Sequence, residues 1–200
     1  MFYEPRKKNH SLPHDPFKAL VGPRPIGWIS TLSKEGVPNL SPYSFFNAFS
    51  DHPAILGFSS WGWKDSANNA RDTGEFVVNV VMKSDLDRMN QSSAPYPSEV
   101  NEFEAAGIGM VPSTFVKPPR VEGVGAAFEC KVTQIIPMTG HDGREAAYHL
   151  VLGEAVGIYI DDRFITDGKV DEAGMQLLAR LGYMNYAAVE NVFSLKRPTI

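Results

Sequence analysis

Arg24-Pro25-Ile26-Gly27-Trp28-Ile29-Ser30-Thr31-Leu32 runs through Ser33-Lys34-Glu35-Gly36 into Val37-Pro38-Asn39-Leu40-Ser41-Pro42-Tyr43-Ser44-Phe45-Phe46. The first nine residues carry the β-branched and aromatic content of a strand from Ile26 to Leu32, and Glu35-Gly36 is a turn signal. The chain is therefore expected to fold back as a hairpin onto Val37 to Phe46. Pro38 and Pro42 cannot donate to a ladder, so the returning strand belongs at an edge and is irregular. Ala54 to Ser59 and Glu75 to Val81 read as further short strands. Phe128, Cys130 and Val132 alternate with Glu129, Lys131 and Thr133, the period of a strand with one buried face. Gly140, Asp142 and Gly143 supply a turn, and Ala146 to Ile160 returns as a long strand apolar on both faces, which calls for cover on both sides.

Helical signals are short. Asp65 or Ser66 caps a helix to Asp72 that Gly74 stops, and Ser84 caps another through Asp85 to Asn90. Asn101 to Ala106 and Gly174 to Leu181 are further helix candidates, whereas Pro95 and Pro97 make Ser92 to Val100 a loop. Many short strands with a few helices give a mainly β chain, a small barrel or sandwich with short decorating helices. No composition break divides it, so residues 1–200 are expected to form a single domain with residues 1–17 as an N-terminal arm.

Composition narrows the function classes. The 200 residues are 43% hydrophobic and 21% charged, enough for a core and against disorder. A net charge of −4 offers no general positive field, so neither nucleic acid nor an anionic membrane surface is an expected partner. No apolar run approaches the roughly 18 residues of a membrane span. Cys130 is the only cysteine, which excludes an internal disulfide and a thiolate zinc site and fits a reducing cytoplasmic compartment. The five histidines His10, His14, His52, His141 and His149 lack ligand spacing, so no metal is expected. Gly123-x-Gly125 is followed by Phe128 where a dinucleotide fingerprint needs a small residue, and no nucleophile elbow occurs.

What remains is a polar constellation from Arg24 to Arg71, poor in carboxylates. Within it, Ser59-Ser60-Trp61-Gly62-Trp63-Lys64-Asp65-Ser66-Ala67-Asn68-Asn69 sets hydroxyls at a strand end beside a lysine and a helix start whose free N–H groups suit one phosphate ester. Read plainly, the same residues are ordinary caps and surface groups, and the segment alone does not choose.

The sequence resembles the flavin reductase-like proteins, whose domain is an FMN-binding split β-barrel. The blocks that carry the resemblance are Arg24 to Leu32, Pro38 to Asn47, Lys64-Asp65-Ser66 with Asn69, Thr73 to Asn79, His149 to Glu154 and, weakly, Arg180 to Tyr183. The resemblance implies FMN as cofactor and NADH or NADPH as co-substrate. It implies a phosphate anchor of Ser30, Thr31, Ser59, Ser60, Lys64 and Ser66, with Asp65 and Asn69 from the same block. Ser41 to Asn47, kept irregular by Pro42, would present backbone groups to the flavin ring, with Tyr43, Ser44 and Asn47 as contacts. Phe45, Phe46 and Phe49 are expected in the core. Trp28 either walls the flavin or fills the barrel. Arg24 either faces flavin charge or forms a salt bridge. His149 is the one candidate catalytic residue, touching flavin or nicotinamide, with a core histidine as its other reading. The expected function is an NAD(P)H-dependent flavin oxidoreductase serving free flavin, a partner monooxygenase or another acceptor. A non-catalytic flavin carrier and an FMN-dependent oxidase or oxygenase of a small organic substrate are the alternatives. The two-sided strand and the resemblance both imply a homodimer.

Overall fold

A computed structural model of the chain describes residues 1–199. Seven antiparallel strands form the principal sheet: β1 (Gly27–Leu32), β2 (Pro38–Tyr43), β3 (Phe46–Asp51), β4 (Ala54–Trp61), β5 (Glu75–Val80), β6 (Ala126–Thr139) and β7 (Glu145–Ile160). Their spatial order is β2-β1-β5-β6-β7-β4-β3. The two edges of this sheet, β2 and β3, are consecutive in the chain and joined only by Ser44 and Phe45. Seven strands laid flat at about 4.8 Å spacing would hold their edges roughly 29 Å apart, whereas that short connection reaches about 10 Å. The sheet must therefore curl until its edges meet. The Ser59 amide donates to the Phe45 carbonyl at 2.8 Å, carrying the β3–β4 pairing into the connection, and the Tyr43 ring of β2 sits 4.7 Å from the Phe58 ring of β4. The result is a barrel open along one seam, the split barrel expected from the sequence.

Curling gives each strand an inside and an outside, and the period of two sorts the side chains. Ile29 of β1 and Phe76 and Val78 of β5 join Tyr43, Phe58, Cys130 and Val151 in the interior core. Helix α1 (Asp65–Thr73) plugs that interior with Ala67 and Ala70. The alternate residues Trp28 and Val77 face outward yet are fully buried, because the excursion between β5 and β6 packs Met89, Phe103, Val121 and Val124 against them. Polar side chains pin this excursion: Asn79 Oδ1 accepts from the Val121 amide at 2.8 Å, and the Glu129 carboxylate accepts from the Thr114 and Phe115 amides. The excursion carries helix α2 (Leu86–Gln91) and a one-turn helix at Glu102–Ala105, capped by Asn101.

Five local expectations are corrected. The strand expected from Val37 to Phe46 ends at Tyr43, because the chain must cross the seam at Ser44 and Phe45 before pairing again as β3. Phe49 on β3 is half exposed instead of buried in the core. The cap of α1 is Lys64, with Asp65 and Ser66 inside the first turn, and Gly74 ends the helix at φ 75°, a left-handed value that glycine adopts without strain. Between Gly174 and Leu181 the helix is only Glu172–Met175. It gives way to β8 (Leu178–Arg180), which pairs with β9 (Tyr186–Ala188) and with Arg24–Pro25. Tertiary pairing overrides helical pattern there, with the Leu178 amide donating to the Val81 carbonyl at 2.9 Å. The helix expected from Asp85 begins at Leu86 after a turn of 3-10 helix over Lys83–Asp85, and the Asp85 carboxylate, not Ser84, takes the free Met82 amide at 2.9 Å.

Curvature also needs small residues where layers approach. A Cβ on Gly57 of β4 would lie 2.6 Å from Leu152 Cδ2 and 2.9 Å from the Val151 carbonyl oxygen. The backbone contact cannot be relieved by a rotamer change. Gly57→Ala is expected to cost roughly 1–3 kcal/mol as overpacking, and since each kcal/mol moves the midpoint of a chain this size by about 2–4 °C, calorimetry should show a clear drop. An unchanged melting temperature would mean that β4 and β7 are not packed this closely.

Candidate flavin site

The seam is bordered by β2 on one side, by the β4 end on the other, and by the start of α1. One cavity is lined by Ser41, Pro42, Tyr43, Ser44, Ser59 and Lys64, with Lys18, Phe45, Trp61 and Tyr148 completing it. An adjoining cavity shares Ser41, Tyr43 and Lys64 and adds Asp65, Ser66, Asn39 and Glu102. A third shares Lys18, Pro42 and Ser44 with the first and continues past Arg24. Together they make one groove along the outer side of β2.

Two buried hydroxyls stand out here, Tyr43, which lines two of these cavities, and Ser60, which lines none and lies behind it. Tyr43 Oη lies against Ser60 and Ser66, yet neither it nor Ser60 Oγ holds a hydrogen bond, although both are out of solvent. Burial pushes the Tyr43 phenol above its usual pKa, which keeps it a neutral donor. Buried polar atoms normally find partners, so two orphans beside one helix start mark a place where something else supplies them. The first-turn amides of α1 are among the N–H groups that no intrahelical carbonyl reaches. With the exposed Lys64 side chain they suit an anion, and the Asp65 carboxylate in the same turn is the one opposing charge.

The remaining expected residues divide sharply. Trp28 does not wall the groove: its ring is fully buried in the outer core and its Nε1 donates to Ser92 Oγ at 2.9 Å. Ser30 Oγ donates to the Pro119 carbonyl at 2.5 Å, holding the excursion. Thr31 Oγ1 donates to Asn39 Oδ1 at 3.3 Å and accepts from Asn69 Nδ2 at 3.1 Å, so both serve the contact between β1 and α1. Ser66 Oγ, also buried, donates to Asn39 Oδ1 at 2.8 Å. Asn47 is exposed, and its Oδ1 accepts from the Ala48 amide. The Arg24 guanidinium donates to the carbonyls of Lys18, Val21 and Leu181, so the expected salt bridge is replaced by carbonyl contacts, with Nε left unpartnered. His149 pairs in register with Ser60 but lies outside the groove lining, its ring 4.1 Å from that of Trp63, which in turn lies under Arg71.

Sequence reasoning missed Asn39 and Glu102. Asn39 Nδ2 donates to Glu102 Oε1 at 2.7 Å and the Leu40 amide to Glu102 Oε2 at 3.0 Å, which turns Asn39 Oδ1 toward Ser66 and Thr31. The carboxylate thus orients the amide that anchors the start of α1. The signal was present only as an N-terminal cap at Asn101, since nothing in the local pattern announces a buried Glu. Lys18 and Tyr148 were also missed, because they come from segments remote from the motifs, and so was Trp61, although it follows Ser60 directly.

The flavin reductase like domain model matches residues 22–175. A protein of Halalkalibacterium halodurans is 37% identical over 203 residues, covering 98% of this chain and 93% of its own length. Nitrilotriacetate monooxygenase component B from Bacillus cereus superposes with a TM-score of 0.85 at 29% identity, over 94% of this chain and 96% of that one. The 2-nitrobenzoate 2-nitroreductase of Pseudomonas fluorescens does so at 0.81 and 31% identity, over 92% and 89%.

Two consequences can be measured. Ser66→Ala removes a buried hydrogen bond and is expected to cost about 1 kcal/mol of stability, whereas exposed Lys64→Ala should leave the melting temperature unchanged. The reverse pattern in thermal melts would sink this division. Burial raises the Glu102 carboxyl above the usual carboxylate range, despite the donors it faces. A group that binds its proton more tightly when folded stabilises most below its unfolded pKa, and this contribution is lost as pH rises through the folded pKa. Glu102→Gln should flatten that part of the stability-against-pH curve in denaturant titrations; an unaltered slope would assign it to another group.

Proposed function

The chain belongs to the flavin reductase-like family, and from that premise we propose that it is an FMN-dependent oxidoreductase that uses a reduced nicotinamide. The observation that carries the reading is the unpartnered buried hydroxyl of Tyr43, which lines the groove beside the start of α1, with the unpartnered Ser60 hydroxyl behind it. These groups fit a flavin phosphate: Lys64 gives charge, the α1 amides and Ser59 give donors, and one phosphate is what this set can satisfy. Ser41 to Ser44 line the neighbouring stretch, where an edge strand paired on one side only offers free backbone donors and acceptors to a ring with both. Bound FMN would supply the two-electron chemistry, taking hydride from NADH or NADPH and passing electrons to free flavin, a partner monooxygenase or another acceptor. The chain contributes orientation and exclusion of water, for which no protein acid is required, so the reading does not depend on His149.

The reading extends to one domain over 1–200 and to a homodimer. Val156 and Ile158 near one end of the β6–β7 ladder, and Ile136 and Met138 near the other, are partly exposed apolar side chains that a second copy would cover.

Addition of NADH or NADPH to the FMN-loaded protein under anaerobic conditions should bleach the flavin's visible absorbance; a spectrum unchanged by both would leave a flavin carrier. Lys64→Ala should weaken FMN binding by roughly 1.5–3 kcal/mol, read by calorimetry, and equal affinity would move the phosphate elsewhere. Light scattering is expected to give twice 22.0 kDa at micromolar concentration, and the single-chain mass would refute the dimer.

A further inference from the structure

Beyond Ser44 the groove opens into a cavity of about 350 Å³ whose charge is one-sided. Lys18, Arg24 and Arg180 line it, and no Asp or Glu does. Its apolar and aromatic walls come from Met89, Tyr183 and Tyr186. Among the described residues none of the three cations has a carboxylate within salt-bridge distance. Arg24 is the unusual member: it is only 7% exposed, its contacts are all backbone carbonyls, and its buried Nε has no partner. A buried cation is normally paired, because desolvation is costly without an opposite charge. Burial and the charge of Arg180 both press the Arg24 guanidinium toward losing its proton, so the two cations are close enough to repel. The Arg180 guanidinium carbon meanwhile lies 4.3 Å from the centre of the Tyr186 ring, with one nitrogen donating to the Tyr183 carbonyl at 2.6 Å. That leaves its other donors uncommitted, in the planar fork that matches a carboxylate.

We propose that this cavity is the binding subsite for a small aromatic carboxylate, whose acid group lies between Arg180 and Lys18 with Arg24 behind it and whose ring lies against the tyrosines and Met89. The size argues for one ring, since 350 Å³ is near the lower end for ligand cavities. A guanidinium beside an aromatic ring and a neighbouring ammonium recognise the acid, and the tyrosine walls recognise the plane. The subsite's place beside the reacting ring rests on the flavin reading above, while the binding itself does not.

Benzoate is the probe, followed by calorimetry on the protein before and after FMN loading. Saturable binding, at least tenfold tighter than the isosteric neutral benzamide, is expected in the unaltered protein. Arg180→Gln should weaken benzoate at least tenfold, Arg180→Lys less, and Lys18→Gln severalfold. Equal affinity for benzoate and benzamide, or no binding of either, overturns the proposal without recourse to any variant. Unchanged benzoate affinity in both Arg180→Gln and Lys18→Gln overturns it as well. Pyrophosphate binding in competition, and at least tenfold tighter than benzoate, would assign the cations to a nucleotide phosphate and overturn the aromatic acid. FMN titration of the same unaltered sample keeps the two readings apart: failure of FMN binding removes the flavin assignment while the benzoate measurement still judges this cavity.

Discussion

The connection of Ser44 and Phe45 is the constraint on which the molecule depends. Because it ties the two edges of a seven-stranded sheet together, the sheet has no flat solution, and closure forces both faces of β1 and β5 into cores. A second outcome concerns the edges. Edge strands present unpaired backbone groups that a protein must cover or use. Here the connection between the edges is tied to β4 by the hydrogen bond from the Ser59 amide to the Phe45 carbonyl, and the groove beside it is concave and polar. The groove is therefore a product of topology. Its residues come from the β2 edge and the connection after it, from β4 and β7, from the start of the helix that plugs the barrel and from the segment before β1, which is why no single motif describes it.

The strands and their order of appearance were legible because alternation, turn residues and prolines act locally. Pro38 and Pro42 placed the second strand at an edge, where it lies, and Gly74 stopped α1 where expected. The break at Ser44 was not legible, since Val37 to Phe46 is uniformly compatible with a strand until one knows that the chain up to Tyr43 pairs with β1 and the chain from Phe46 with β4. The helix read over Gly174 to Leu181 failed for the same reason, because Leu178 to Arg180 is held by pairing with Arg24–Pro25 and Tyr186–Ala188. Local pattern carries the elements, and long-range pairing decides their ends.

The site residues divide along a similar line. Ser41, Pro42, Tyr43, Ser44, Ser59 and Lys64 converge on one cavity, so the resemblance and the geometry coincide there. Ser30, Thr31, Ser66 and Asn69 have the right chemistry but spend it on the protein. Sequence gives a hydroxyl's identity and its strand, and with period two it gives a face. It does not say whether the nearest acceptor is a ligand or, as for Ser66, an Asn39 amide turned by a Glu102 carboxylate from another segment. One carboxylate fixes that choice: with Glu102 accepting from Nδ2, the Asn39 oxygen is the atom turned toward Ser66, and a hydroxyl facing it must donate.

Net charge was a fair guide to what the whole surface would attract and a poor guide to the groove. A sum of −4 excludes a general anion-binding face, yet charges act over about a Debye length, roughly 8 Å at physiological ionic strength. Within the groove the balance is local. Lys18 and Lys64 border one cavity and Lys18, Arg24 and Arg180 the next, with no carboxylate lining either, while Asp65 and Glu102 are confined to the third. Several acidic side chains elsewhere are neutralised by partners, Asp142 by Arg6 and Asp161 by Arg163 among them. The groove thus gathers unpaired cations on a chain that is negative overall, and low-dielectric walls strengthen their field inside the concavity relative to open solvent. An anionic ligand would meet attraction where it must dock, while polyanions too large to enter would meet the negative remainder of the surface.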